Sequence, residues 1–141
     1  MKTISLERSR WRLLWIWLVG SVLIFGYTIT IGVTRGFNDP SDWSSTVGWV
    51  FPHLLPTLSL ILSVVGANAL NPRSEEVSVK MVYHRLVMVI VVAYLFLVFA
   101  TYLLEGIIPF DLVQTMGIAN FWLGPLQGVV SAALSVLFFS D

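Results

Sequence analysis

Residues 86–104 read LVMVIVVAYLFLVFATYLL, a run of 19 without a single Asp, Glu, Lys or Arg. A bilayer core of roughly 30 Å needs about 20 apolar residues in a helix, so this run is long enough to cross once. Three more charge-free intervals flank it: 13–34 with 22 residues, 43–72 with 30, and 112–140 with 29. Each fits one crossing and none fits two. The two longest carry polar ends, which trims them to about 51–70 and 117–139. The runs are continuous, whereas barrel strands need alternation over about ten residues. The reading is an all-α integral membrane protein, an antiparallel four-helix bundle forming a single membrane domain over 1–141. Its helices fall at about 11–34, 48–70, 76–104 and 117–139.

Composition agrees. Of the 141 residues 57% are hydrophobic and 11% charged, with a mean hydropathy of +0.85. Soluble domains are about 25% charged, so most soluble enzymes and nucleic-acid binders are excluded. Disorder needs the opposite composition. With no cysteine there is no disulfide framework, thiolate metal site or cysteine nucleophile. The first span follows Lys2, Arg8, Arg10 and Arg12 as a signal peptide would. It is too long, however, carries Trp15 and Trp17, and lacks a small-residue cleavage site. It reads as an uncleaved helix.

Lys and Arg set orientation. Lys2, Arg8, Arg10, Arg12, Arg73, Lys80 and Arg85 share one side of a four-span protein, and Arg35 alone lies on the other. Both termini are therefore expected in the cytoplasm, in a bacterial inner membrane. Asp39, Asp42, Glu105 and Asp111 fall outside. Trp11, Trp15 and Trp17 mark the inner interface, and Trp43, Trp49 and Trp122 the outer one, the headgroup level that tryptophan prefers. Connections of about a dozen residues make sequential helices neighbours. Residues 36–42 have turn composition. Ser74 is expected to cap helix 3, with Glu76 and Lys80 as a favourable pair four apart.

Lipid supplies no hydrophobic drive between helices, so small and polar residues mark contact faces. At 100° per residue, Asn120, Gly124, Gln127, Gly128, Ser131 and Ser135 share one arc of about 100° on helix 4. The opposite arc, with Trp122, Leu126, Val129, Val130 and Leu137, reads as lipid-facing. Gly48, Pro52, Pro56, Ser59, Ser63 and Gly66 share an arc of helix 2, with Pro52 expected in the first turn and Pro56 interior. Helices 2 and 4 are thus expected to make the closest contacts, either within one subunit or between subunits. Tyr94 and Thr101 mark the inward stripe of helix 3. Pro125 frees a carbonyl that Asn120 or Gln127 can satisfy.

His53 is the one ionisable residue inside a span, which makes it a functional candidate. The plainer reading places it near the outer end of helix 2, either donating to a carbonyl freed by Pro56 or reaching the headgroups. A haem between His53 and His84 is unfavourable, since the two read as a membrane apart. Neither a cofactor nor a metal is expected, because no ligand cluster falls within the spans. The spans hold no Asp, Glu, Lys or Arg, which argues against an ion-coupled carrier but leaves a pore lined by neutral polar groups open. Arg8, Arg10, Arg12, Arg73, Lys80 and Arg85 can meet anionic headgroups or a partner. No nucleophile with its base and no phosphate loop is present, so no catalytic residue is assigned. The expected function is that of a non-enzymatic membrane subunit assembling through small-residue helix faces with itself or a partner. The alternatives are an oligomeric pore or permeabilising effector and, more weakly, a cofactor anchor at His53. The expected surroundings are the lipid bilayer and a homo-oligomer or membrane complex, not nucleic acid.

Overall fold

The structure, a computed structural model, describes residues 3–35, 40–70, 78–105 and 107–139. Four helices dominate: α1 (Leu6–Arg35), α2 (Pro40–Leu70), α3 (Met81–Leu103) and α4 (Leu112–Phe139), each long and apolar enough to cross a membrane. Two short strands, β1 (Thr3–Ser5) and β2 (Ser78–Lys80), pair antiparallel with Ile4 opposite Val79.

The outside of the bundle is as greasy as the inside. Val33, Val82 and Phe121 are about four-fifths exposed, and Leu23, Val89 and Phe96 about two-thirds. In water this surface would drive aggregation; in lipid it is matched to its solvent. The chain is therefore a multi-pass membrane protein by its surface as well as its span lengths.

The helices close a four-cornered ring in which α1 packs on α2, α2 on α4, α4 on α3 and α3 on α1. The consecutive pair α2 and α3 lie across the diagonal, contrary to the expectation that sequential helices are neighbours. The ten residues between Leu70 and Met81 reach about 33 Å when extended, enough to cross the bundle end. The core is built from Leu13, Trp17 and Ile24 of α1, Val50, Leu54 and Ile61 of α2, Val87, Tyr94 and Val98 of α3, and Met116, Leu123 and Leu134 of α4.

Several helix ends differ from the sequence reading. α2 starts at Pro40, at the first-turn position that proline favours because its missing N–H has no helical partner there. Ser41 and Asp42 therefore belong to the helix, and Pro52 lies in its interior. Residues 36–39 fall outside the described residues. α4 begins at Leu112, where Asp111 caps it: the Gln114 amide donates to Asp111 Oδ1 at 2.7 Å. α3 begins only at Met81. Lys80 lies in β2, so it makes no helical pair with Glu76; Ser74, Glu75 and Glu76 are outside the described residues. Pairing with β1 satisfies the backbone of residues 78–80 in place of a helical turn.

Gly20 and Gly32 of α1 mark tight approaches. A Cβ on Gly20 would stand 2.7 Å from the Leu95 side chain, and one on Gly32 would collide with the Trp43 ring. On α4, by contrast, Gly124 and Gly128 have open space where a Cβ would point, so they mark no close approach among the described residues. Val130 and Leu137, read as lipid-facing, are 1% exposed, and α4 turns Met116, Ala119, Leu123 and Leu134 to the core with them.

Candidate functional site

One group of polar side chains from the spans converges on α2 between Trp49 and Leu54. His53 is buried, 6% exposed. Because α2 begins at Pro40, His53 is about 20 Å along the helix at 1.5 Å per residue, deeper than the outer end expected for it. Its Nε2 lies 3.0 Å from Asn120 Oδ1 of α4, and its Nδ1 lies 3.0 Å from the Tyr94 hydroxyl of α3. Asn120 Oδ1 also accepts from Trp49 Nε1 at 2.8 Å. An amide oxygen only accepts, so Nε2 carries a proton, and in the neutral ring Nδ1 accepts from Tyr94. The Tyr94 hydroxyl has one proton to give, and the His53 carbonyl at 3.3 Å is the more distant, competing acceptor for it.

α1 joins through Trp17. Its ring stacks on Tyr94, with centroids 5.8 Å apart and 8° between planes, and its Nε1 donates to the Leu54 carbonyl at 3.2 Å. Trp17 is wholly buried and Trp49 nearly so, whereas Trp11, Trp15, Trp43 and Trp122 face outward. Trp17 and Trp49 therefore depart from the interfacial belt read for the six tryptophans. Both direct their N–H groups to acceptors inside the bundle. One connected set thus links all four helices, and in a medium without water each polar atom depends on the others for its partner.

Gln127 completes the set. Pro56 has no N–H, so the Pro52 carbonyl one turn earlier lacks its helical donor. Gln127 Nε2 of α4 supplies it at 2.8 Å. Asn120 and Gln127 were expected to serve a carbonyl freed by Pro125 of their own helix; both act across to α2 instead. His53, expected at the Pro56-freed carbonyl, bonds Tyr94 and Asn120.

A second polar cluster lies at the end of the bundle that holds β1. Ser9 Oγ and His84 Nδ1 are 2.6 Å apart, joining α1 to α3. Arg10 is buried and reaches the last turn of α4: its Nη2 donates to the carbonyls of Leu137 at 3.1 Å and Phe138 at 2.8 Å, and its Nε to Leu137 at 3.2 Å. These carbonyls have no intrahelical donor, and the helix dipole places partial negative charge there. Arg10 is therefore committed inside the chain. Arg8, Arg12, Lys80 and Arg85 are exposed, and Arg73 is outside the described residues. His84 is ten residues from Tyr94 on α3, about 15 Å along the axis, so the two histidines are nearer half a membrane than a full one apart.

Both nitrogens of His53 have protein partners, so ligating a haem or metal would cost one of these bonds. Among the described residues no three His, Cys, Asp or Glu side chains come together. The remaining candidates, Gly124, Gly128 and Ser131 of α4 and Ser59 and Ser63 of α2, are exposed, and Gln127 is half-buried. The Gln127–Pro52 bond joins the α4 arc to the α2 arc at one point. Sequence periodicity found both arcs but carried no sign of the direction they face. For the roles of Trp17, Trp49 and Arg10 the sequence holds no local signal.

Comparison with family models, with curated proteins and with solved structures returned no match.

Proposed function

We propose that this chain is a non-enzymatic subunit of a bacterial inner membrane that assembles, with copies of itself or a membrane partner, through the outer face of α2 and α4. The observation that carries the reading is the direction of the small residues. Gly48, Gly66, Gly124 and Gly128 all have open space at the Cβ position, and Ser59, Ser63 and Ser131 stand exposed beside them. Among the described residues no neighbouring helix closes over the Cβ positions of these glycines. In lipid, small residues allow close backbone approach and gain contact area that bulky side chains would block. The α1/α3 side, by contrast, presents large side chains such as Leu23, Val92 and Phe96.

The same proposal includes an antiparallel bundle with both termini cytoplasmic. Support comes from the pairing of β1 with β2 and from the Arg10 bonds to the end of α4. Together they gather the start of α1, the start of α3 and the end of α4 at one end of the bundle, the end that also carries most of the Lys and Arg.

The test is Gly124→Leu and Gly128→Leu. Each side chain enters open space, so helicity and monomer stability should stay near wild type while the native mass falls to that of the monomer. Retention of the wild-type assembly in both variants would refute the reading. The polar atoms on this face favour a second reading, an oligomeric pore, because Asn120, Gln127 and Ser131 would line any channel formed when several copies turn this face to a common axis. In that case Ser131→Leu should preserve assembly but abolish flux from liposomes through dewetting.

A further inference from the structure

The opposite side of the bundle carries a groove of about 870 Å³ between α1 and α3. Trp15, Val19 and Gly26 form its α1 wall and Val92, Phe96 and Phe99 its α3 wall. Pockets of about 300–1,000 Å³ hold drug-sized ligands, and this one is apolar throughout most of its surface. From Trp15 to Thr30 it runs about 22 Å along α1 at 1.5 Å per residue, which exceeds one leaflet, half of a roughly 30 Å hydrocarbon core.

Its two walls lead to the same kind of charge. At 100° per residue, Arg8, Arg12, Trp15, Val19 and Gly26 share an arc of about 60° on α1, and Arg85, Val92, Phe96 and Phe99 share a similar arc on α3. Both walls therefore continue, toward the β1 end, into exposed arginines. The Ser9–His84 hydrogen bond of 2.6 Å clamps the two helices at that level, and the guanidinium groups of Arg12 and Arg85 both lie within electrostatic reach of the His84 ring. Among the described residues no carboxylate pairs with Arg8, Arg12 or Arg85; Glu7 is turned about 100° away from Arg8 on the helix. An apolar slot one leaflet deep, open along its length and ending in three exposed guanidiniums, matches one molecule in shape and charge.

We propose that the α1/α3 groove binds an anionic phospholipid, with an acyl chain against Gly26 and Phe96 and the phosphate held by Arg8, Arg12 and Arg85. Arginine suits the phosphate because its planar fork donates two parallel hydrogen bonds. Gly26 suits the chain because the space at its Cβ is open. The arginines stand one to two helical turns beyond Trp15, so the phosphate lies at the headgroup level while the chain lies at hydrocarbon depth. The inference uses none of the residues on the α2/α4 face, and it stands or falls separately from the assembly reading.

Binding of phosphatidylglycerol and of phosphatidylcholine with identical chains to the purified full-length protein, read by native mass spectrometry, tests it. Each arginine contributes roughly 5-fold in affinity for an anionic surface, so the wild type should prefer phosphatidylglycerol by roughly a hundredfold. Arg8→Gln, Arg12→Gln and Arg85→Gln combined should remove the preference, and the three Arg→Lys replacements should retain most of it and report on folding. Gly26→Phe, which keeps every charge, should weaken both lipids. Glycerol phosphate without chains should bind no more than weakly. Equal binding of the two lipids by the wild type, or lipid binding untouched by Gly26→Phe, would overturn the proposal. A wild-type dimer that Gly26→Phe converts to monomer would also overturn it, by assigning the groove to a second copy of the chain.

Discussion

Gln127→Leu is the most incisive perturbation because the structure says what its cost depends on. The Pro52 carbonyl has lost its helical donor to Pro56 and is served by Gln127 Nε2 at 2.8 Å. Leucine keeps most of the side-chain volume and removes the donor. Interhelical hydrogen bonds in membranes are worth about 0.6–2 kcal/mol, so the variant should lose about 1 kcal/mol, a roughly 5-fold change in the folding constant. The same substitution made in Pro56→Ala should cost less than about 0.5 kcal/mol, within the error of additivity. There the restored N–H of residue 56 bonds the Pro52 carbonyl from within α2. The coupling energy of this cycle, about 1 kcal/mol, is the signature of a shared acceptor. Reversible unfolding in mixed detergent micelles, followed by helical circular dichroism at protein concentrations that keep the chain monomeric, measures all four corners. An equal cost in both backgrounds would refute the reasoning and show that Gln127 acts elsewhere.

Trp17→Phe should retain the stack on Tyr94 and lose only the indole donation to Leu54, costing about 0.5–1.5 kcal/mol in the same assay, whereas Trp17→Ala should cost about 3–5 kcal/mol through the cavity it leaves. Arg10→Met should cost about 1.5–3 kcal/mol, the range for hydrogen bonds from a charged donor, and should speed amide exchange in the last turn of α4 while leaving the centre of α2 unchanged. Arg10→Lys should recover only part of this, since one ammonium nitrogen can at most replace the two Nη2 bonds and has no counterpart of the Nε donation to Leu137. Reporters inserted at Asn38 or Pro109 should be external and those near Lys80 cytoplasmic; a cytoplasmic signal at Asn38 would overturn the proposed orientation.

The four spans were legible in residue order because each charged side chain is excluded from hydrocarbon by its own solvation cost, whatever its neighbours are. Helical period then grouped the small residues of α2 and α4, and those groupings persist in the structure. Which way they face was not legible. The interior of the bundle and the lipid around it are almost equally apolar, so hydrophobicity, which points inward in a soluble helix, has no direction here. Val130 and Leu137 look like lipid-facing residues and lie in the core, while Gly124 and Gly128 look like packing residues and lie outside. Trp17 and Trp49 have the composition of an interfacial belt, yet donate to Leu54 and Asn120. Arg10 differs from Arg8 and Arg12 only in helical phase, and phase alone turned it to the end of α4. The pairing of residues 3–5 with 78–80 and the diagonal placement of α2 and α3 depend on contacts between segments far apart in the chain. Those contacts form only once the helices are brought together, because Trp17, Trp49, His53, Asn120 and Gln127 each find a partner on a different helix.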